Sequence, residues 1–311
     1  MSDHSENFRQ LVRLLTAPLV RLLSVVVLIV VGPIAFASGV SADAPASFDP
    51  GGVYVYTPPG LSARAEPVQV VVALHGMGGE GRGFCQSFLA AADRNGWVVV
   101  APTFKYRNWK EPAIVAEDDV ALTRQLAQYL DRLPDQIGHR TTEGAVVLGF
   151  SRGAQLAHRF ALLYPEHTRA VAAMSAGTYT LPTDRQTAGE DLGSLPFPFG
   201  TADLGTRLGR RVELDRISSV DFWIAVGADD NRAEDVPRQW DALLGKTRLQ
   251  RAESFAQAIK NTGAPTELVV YQDLGHNMSA EMVRGATGFV ERITGLRLRE
   301  RSFGGPGLFA Y

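Results

Sequence analysis

The sequence predicts a single-domain α/β fold with a mostly parallel central sheet and helices on both of its faces. Short continuous apolar runs, such as "VQVVVALHG" and "WVVVAP", alternate along the chain with segments of helical periodicity. Strands buried on both faces have this continuous apolar pattern, and helical crossovers between them make such strands parallel. The composition, 45% hydrophobic and 21% charged, is that of an ordinary globular protein.

Charge and cysteine content narrow the possible functions. The formal net charge of −2 argues against nucleic acid as a partner, because phosphate binding needs a surplus of Lys and Arg on one face. With one cysteine, Cys85, the chain can form no intramolecular disulfide. We expect Cys85 to be a small buried apolar residue.

The N-terminal 42 residues have the pattern of a targeting segment. Three arginines in the first 21 residues precede the uncharged apolar run "LLSVVVLIVVGPIAFA" and a region of small residues. This pattern predicts a secretory signal peptide over residues 1–42. The alternative is an uncleaved membrane anchor, because the run is only slightly shorter than the ~20 residues that span a bilayer. Both interpretations predict a secreted or extracytoplasmic protein, with membrane contact only if the segment is retained.

The first strands follow a Pro/Ala/Ser linker at about residues 41–50. "GGVYVYTPP" predicts a strand that ends at a proline turn, and "VQVVVALHG" a buried strand that leads into a glycine loop. "GRGFCQSFLAAADRNG" predicts a helix, with Gly96 as its natural end. "WVVVAP" is the next buried strand.

The second helix is predicted from "EDDVALTRQLAQYLDRL", residues 117–133. Its apolar residues recur at helical spacing, and its acidic opening favours a helix start because carboxylates stabilise the N-terminal end of a helix. We therefore expect Asp118 and Asp119 to cap this helix.

The second half of the chain continues the alternation. Its predicted elements are the strand "GAVVLGF", the helix "RGAQLAHRFALLYP", the strands "RAVAAMSAG" and "DFWIAVGADD", a helix near 248–261, the strand "TELVVY" and a helix near 279–293. We expect the folded domain to cover residues 43–295, followed by a flexible tail at 296–311. Residues 178–219 lack clear periodicity, and so long a loop is a candidate wall for a substrate site.

Ser151 stands in the pentapeptide Gly149-Phe150-Ser151-Arg152-Gly153, which fits G-x-S-x-G. This motif is weak by itself, but it needs a strand before it and a helix after it, and both are predicted here. The alternative is a serine that simply caps a helix after a strand.

Two further features favour a catalytic serine. The glycine-rich "LHGMGG", residues 74–79, follows an earlier strand, and glycines let backbone N–H groups turn toward an oxyanion. Asp229 and Asp230 follow the strand "FWIAVG", and His276 follows "TELVVYQDLG". These polar residues therefore emerge from the carboxyl ends of strands, where α/β sheets build their sites.

The order serine, aspartate, histidine is that of α/β-hydrolases. In "HGMGG", "EDDVAL", "GFSRGA", "VGADDN" and "GHN", from about residue 50 to 295, the sequence resembles that superfamily. Within it, the sequence specifically resembles the secreted esterases that include polyhydroxyalkanoate depolymerases and feruloyl esterases. It departs from them at Ala154, where relatives often have glycine, and in lacking their cysteines, so the narrower substrate class stays open.

The resemblance implies a role for each site residue. Ser151 would be the nucleophile, His276 the general base and acid, and Asp230 the residue that orients and stabilises the imidazole. Asp230 is preferred over Asp229 because the family pattern is G-x-x-D, counted from Gly227.

Two backbone N–H groups would form the oxyanion hole, those of Met77 and Arg152. His75 is expected to order the glycine loop by hydrogen bonding rather than to act as a base. The side chain of Arg152 is expected on the solvated helix surface, with attraction of acidic substrates as the alternative.

The implied function is an exported serine hydrolase that cleaves a small-molecule or polymeric carboxylic ester through an acyl-enzyme. The alternatives are an acyltransferase or serine peptidase with the same triad, or a non-catalytic binding module on this fold. "LPFPFG", Trp109 and Trp223 suggest an apolar acyl or aryl surface, unless they pack in the core. No cofactor and no catalytic metal are expected, because ligand spacings such as an EF-hand loop or H-E-x-x-H do not occur.

Overall fold

A computed structural model describes residues 52–186 and 193–303 of the chain. The expected signal peptide or anchor, residues 1–42, and residues 304–311 of the expected tail lie outside this described part. All described residues belong to one compact unit. No helix among them combines the length and hydropathy that are needed to cross a membrane.

Seven strands form one central sheet in the order β1-β3-β2-β4-β5-β6-β7. β1 is antiparallel to β3, and the other neighbouring strands are parallel, as the continuous apolar runs predict. The strands are β1 (Val53–Tyr56), β2 (Val70–Leu74), β3 (Val98–Pro102), β4 (Ala145–Phe150), β5 (Thr168–Met174), β6 (Asp221–Gly227) and β7 (Thr266–Tyr271).

Helices cover both faces of this sheet, so the predicted fold class is confirmed. The helices are α1 (Gly81–Asn95), α2 (Pro112–Ile137), α3 (Arg152–Leu163), α4 (Leu204–Leu208), α5 (Asp241–Leu244), α6 (Arg248–Lys260) and α7 (Ala280–Phe303). α1 and α7 bury residues such as Phe88 and Phe289 against one face, whereas α2, α3 and α6 bury residues such as Phe160 and Phe255 against the other. Cys85 is fully buried in the first of these two cores.

The start of α2 differs from the prediction. The helix begins at Pro112, five residues before the acidic stretch, where a proline costs nothing because the first N–H groups of a helix lack an intrahelical partner. Asp118 and Asp119 lie in the helix interior and are 1% and 0% exposed. The expectation that they cap the helix is therefore wrong. Both carboxylates instead accept hydrogen bonds from buried or half-buried arginines.

Part of the long stretch at 178–219 packs into the core. Tyr179 is fully buried and Phe197 is 2% exposed, while Phe199 packs on Trp240 with 4.6 Å between ring centroids. Trp223 is likewise buried within β6. Core packing is thus the correct interpretation for "LPFPFG" and for Trp223, and the expectation of an apolar substrate surface there is wrong.

Candidate active site

Ser151 occupies a sharp turn between β4 and α3. Its φ of 54° and ψ of −115° lie outside the regions that L-residues prefer. A Cβ on Gly149 would lie 2.4 Å from the carbonyl of Gly153, and a Cβ on Gly153 would lie 2.0 Å from the carbonyl oxygen of Leu74. Only glycine fits at these two positions. The Ser151 N–H donates to the carbonyl of Met174 in β5 at 2.8 Å, which anchors the turn to the sheet.

The structure brings Ser151, His276 and Asp230 into one hydrogen-bonded chain. His276 Nε2 lies 2.9 Å from Ser151 Oγ, and His276 Nδ1 lies 2.7 Å from Asp230 Oδ2. With Nδ1 as the donor to the carboxylate, Nε2 is free to accept the serine proton. Asp229, the alternative acid, is exposed, and its backbone N–H donates to the carbonyl of Leu274, which ties the loop after β6 to the loop that carries His276.

Two contacts of the triad were not predicted from the sequence. Arg248, at the start of α6 and 4% exposed, donates from Nη1 to the other oxygen of Asp230 at 2.9 Å. Phe150 stacks on the imidazole of His276 with 5.1 Å between ring centroids. Because Phe150 belongs to the serine motif, its closeness to the site could have been predicted from the sequence. Nothing in the sequence indicates that Arg248 contacts the site.

The glycine loop after β2 lies against Ser151. A Cβ on Gly76 would come within 3.4 Å of the Ser151 Cβ, so this backbone reaches the serine. His75 is buried, and burial lowers its pKa, which keeps the ring neutral. Its Nδ1 lies 2.7 Å from the carbonyl of Gly76 and its Nε2 accepts from the Phe104 N–H at 2.9 Å. These bonds order the loop, as expected for His75.

Arg152 is not on the solvated helix surface, so that expectation is wrong. It is 1% exposed and forms an ion pair with Asp119 of α2. Because the guanidinium is buried against α2, it cannot reach substrate in the cleft. The backbone N–H of Arg152 belongs to the first turn of α3, where N–H groups have no acceptor within the helix.

A cleft of about 570 Å³ opens onto Ser151 and His276. Its walls come from the glycine loop, the start of α1 and the end of β4, and include Met77, Phe84 and Phe150. Glu80 is the charged carboxylate among the lining residues. The described residues of the 178–219 stretch do not line this cleft, whereas residues 187–192 of the stretch lie outside the described part of the chain.

A larger cavity, about 650 Å³, lies at the amino ends of the strands, at the opposite end of the sheet from Ser151. None of the site residues lines it. Cavity volume therefore does not identify the candidate site. The hydrogen bond between Ser151 and His276 in the smaller cleft identifies it. Within the described residues, no group of three or more His, Cys, Asp or Glu side chains is arranged to hold a metal ion.

Comparisons with known proteins agree with this architecture. Similar solved structures include poly(aspartic acid) hydrolase-1 from Sphingomonas sp. KT-1, which is 20% identical over 76% of this chain and 92% of that chain, with a TM-score of 0.56. A phospholipase/carboxylesterase from Dyadobacter fermentans DSM 18053 is 15% identical over 80% of this chain and 99% of its own, with a TM-score of 0.53.

A ferulic acid esterase is 19% identical over 78% of this chain and 91% of that chain, with a TM-score of 0.51. Identities this low show a shared fold. No curated protein matches the chain. Residues 71–296, well over half of the sequence, match the family described as the alpha/beta hydrolase family. The chain therefore belongs to the alpha/beta hydrolase family.

Proposed function

We propose that this protein is a serine hydrolase that cleaves carboxylic esters through an acyl-enzyme. The observation that carries the proposal is the hydrogen-bonded chain from Ser151 Oγ through His276 to Asp230, at 2.9 and 2.7 Å, on the wall of an open cleft. A nucleophile within hydrogen-bond reach of a base, with a third group orienting the base, is the arrangement that nucleophilic catalysis requires.

In the acylation step, Ser151 Oγ attacks the ester carbonyl carbon while His276 Nε2 takes the serine proton. Asp230 stabilises the imidazolium that forms. The negative charge that develops on the carbonyl oxygen is held by the N–H groups of Met77 and Arg152. When the tetrahedral intermediate collapses, the C–O bond to the alcohol breaks and His276 returns its proton to the leaving alkoxide.

In the deacylation step, water replaces the alcohol. His276 removes a proton from the water, the resulting oxygen attacks the acyl carbon, and the carboxylic acid leaves as Ser151 regains its proton. The open cleft lets water reach the acyl-enzyme as the acceptor. The hydrogen bonds among all three triad residues argue against a non-catalytic binding module.

We further propose that the hydrolase domain, residues 43–295, acts outside the cytoplasm. Support comes from the basic and apolar pattern of residues 1–42, which lie outside the described part of the chain. The intact mass of the exported protein tests this, because cleavage near residues 37–42 removes the segment, whereas an anchor leaves the chain at full length.

Ser151→Ala tests the reaction itself. Without the nucleophile, we expect hydrolysis of short p-nitrophenyl esters by the purified protein to fall by about 10³-fold or more. A fluorophosphonate probe should label the native protein and not the variant. Unchanged turnover in Ser151→Ala would sink the proposal.

The two adjacent aspartates provide a matched pair of variants. We expect Asp230→Asn to lower kcat by about 10⁴-fold, because the amide favours the wrong imidazole tautomer. Asp229→Asn should leave kcat within about twofold, since its side chain is exposed and away from the triad. Product analysis with added alcohols and peptides separates ester hydrolysis from acyl transfer and amide cleavage.

A further inference from the structure

Asp119 is the shared carboxylate partner of two buried arginines. Its Oδ1 accepts a hydrogen bond from Arg152, and its Oδ2 accepts one from Arg159 Nη1 at 2.8 Å. All three side chains are at most 2% exposed. Burial lowers the pKa of Arg159 to about 10, and although burial also opposes the charge on Arg152, the nearby carboxylate of Asp119 raises that pKa overall. Both arginines are therefore charged at neutral pH.

Arg152 connects Asp119 to one proposed oxyanion donor, its own backbone N–H directly after Ser151. The guanidinium is held by the ion pair to Asp119 and lies over the ring of Tyr106, with 4.7 Å from Cζ to the ring centroid. Its Nε and Nη1 have no hydrogen-bond partner among the described residues. The ion pair and the cation–π contact are thus the two polar contacts that fix this side chain.

Tyr106 connects the same cluster to the other proposed donor. Its hydroxyl donates to the carbonyl oxygen of His75 at 3.2 Å, and its ring packs against the imidazole with 5.2 Å between centroids. Burial raises the pKa of Tyr106, so the hydroxyl stays protonated and remains a donor. Since His75 orders the loop that leads to Met77, the contacts run from Asp119 to both sides of the oxyanion hole.

We propose that Asp119 is a positioning residue that sets the geometry of the oxyanion hole through Arg152 and Tyr106. This inference rests on the proposed function. Oxyanion donors act only when they lie about 2.7–3.1 Å from the developing charge, and a displacement of about 1 Å can cost about 10²-fold in rate. A buried ion pair is by itself weak evidence for stability, so these contacts to both sides of the oxyanion hole, rather than the ion pair alone, carry the inference.

Arg159 makes the connection testable without unfolding the protein. It donates to Thr178 at 2.7 Å and to Thr180 at 2.9 Å, and it stays paired with Asp119 when Arg152 is changed. Arg152→Met therefore leaves no unpaired buried carboxylate, keeps the backbone N–H and fills a similar volume. Tyr106→Phe removes only the hydroxyl and keeps the ring under the guanidinium.

We expect Arg152→Met to lower kcat for a p-nitrophenyl ester by about 10- to 100-fold, with KM within about twofold, because only transition-state binding is impaired. Tyr106→Phe should lower kcat by about three- to tenfold, since one of several loop contacts is lost. The inhibition constant of a trifluoromethyl ketone, which forms a tetrahedral adduct with serine, should rise by the same factor as kcat falls.

Asp241→Asn is the matched control. It removes the carboxylate partner of Arg251, a fully buried arginine with no contact to this cluster in the described residues. We expect it to lower the thermal midpoint while kcat stays within about twofold. The inference is wrong if kcat in Arg152→Met and Tyr106→Phe stays within twofold of the native value. It is equally wrong if KM rises while kcat is unchanged. It is also wrong if Asp241→Asn, for a similar drop in thermal midpoint, loses as much kcat as the two positioning variants do.

The native protein separates this inference from the proposed function. If native protein hydrolyses esters, Ser151→Ala is inactive and the two positioning variants are normal, the proposed function holds and the inference alone fails. If native protein neither hydrolyses any ester nor reacts with a fluorophosphonate, both are overturned.

Discussion

At the scale of single residues, Ser151 is held in a conformation that it would not adopt alone. A positive φ in a non-glycine residue costs about 1–3 kcal/mol, and it persists only where the surroundings impose it. Here the N–H bond to Met174 and the close approach of Gly149 and Gly153 impose it. The hydroxyl therefore points to His276. It does not bond to the first N–H groups of α3, as the hydroxyl of a capping serine would.

Glu80 is the residue on which we expect charge selectivity to depend. It is an exposed carboxylate that lines the cleft beside Met77 and Phe84. Glu80→Gln should raise kcat/KM for an anionic ester by about two- to fivefold relative to a neutral ester of the same length, because a like charge is removed at a solvated site.

The salt dependence of this ratio is the control. In the native protein, added salt should raise kcat/KM for the anionic ester relative to the neutral one, because it screens Glu80. In Glu80→Gln the same ratio should change less. An identical ratio of kcat/KM values in both proteins at low salt would contradict a role for Glu80.

At the scale of elements, α6 links the triad to the core. Its first residue, Arg248, holds Asp230, while Phe255 near its middle is fully buried and stacks on Tyr179 with 4.4 Å between ring centroids. Tyr179 belongs to the aperiodic segment after β5. The helix therefore contacts the site through Arg248 at its start, and its buried face packs against the aperiodic segment through Phe255.

Phe255→Ala tests this packing. Loss of a buried phenylalanine leaves a cavity, and we expect the free energy of unfolding to fall by about 3–5 kcal/mol in urea titration. Glu253→Ala, on the exposed side of the same helix, should change it by less than about 0.5 kcal/mol. A loss under about 1 kcal/mol in Phe255→Ala would show that the segment does not pack on α6 as described.

At the scale of the whole molecule, the parallel sheet gathers distant residues at one edge. β4 lies between β2 and β5, so the serine turn is flanked by the glycine loop and by the end of β5. β6 and β7 are neighbours, and their following loops deliver Asp230 and His276. Residues 125 positions apart, Ser151 and His276, meet because carboxyl ends of parallel strands share an edge.

Two buried histidines predict how stability depends on pH. Burial lowers the pKa of His158 well below 6.5 and also lowers that of His75. Below pH 6.5 the unfolded chain therefore binds protons that the folded chain does not, so stability falls as pH falls through this range. The loss is at most about 1.4 kcal/mol per pH unit for each histidine.

Thermal midpoints measured between pH 8 and pH 4 check this expectation. His158→Gln cannot titrate and should show a shallower decline with falling pH than the native protein, even if its midpoint at pH 8 is lower. A native midpoint that stays constant or rises between pH 6.5 and pH 5 would contradict the assignment of neutral buried histidines.

By itself, the sequence determined the alternation of strands and helices and the parallel sheet. These follow from local patterns, because apolar runs specify buried strands and the direction of each strand puts its following loop at a known edge. The choice of Ser151, Asp230 and His276 as site residues, and of Asp230 over Asp229, came from the resemblance to the α/β-hydrolases. It could not determine the start of α2, because the acidic stretch at 118–119 has the same composition whether it caps a helix or pairs inside one.

Only the tertiary structure decided the partners of the buried charges. Asp119 and Arg152 stand 33 positions apart, and whether they pair depends on which faces of α2 and α3 meet. The burial of Tyr179, in the segment after β5, likewise follows from packing against α6 and has no periodic signal. Burial and ion pairing are properties of two surfaces in contact, and a single segment of sequence describes only one of them.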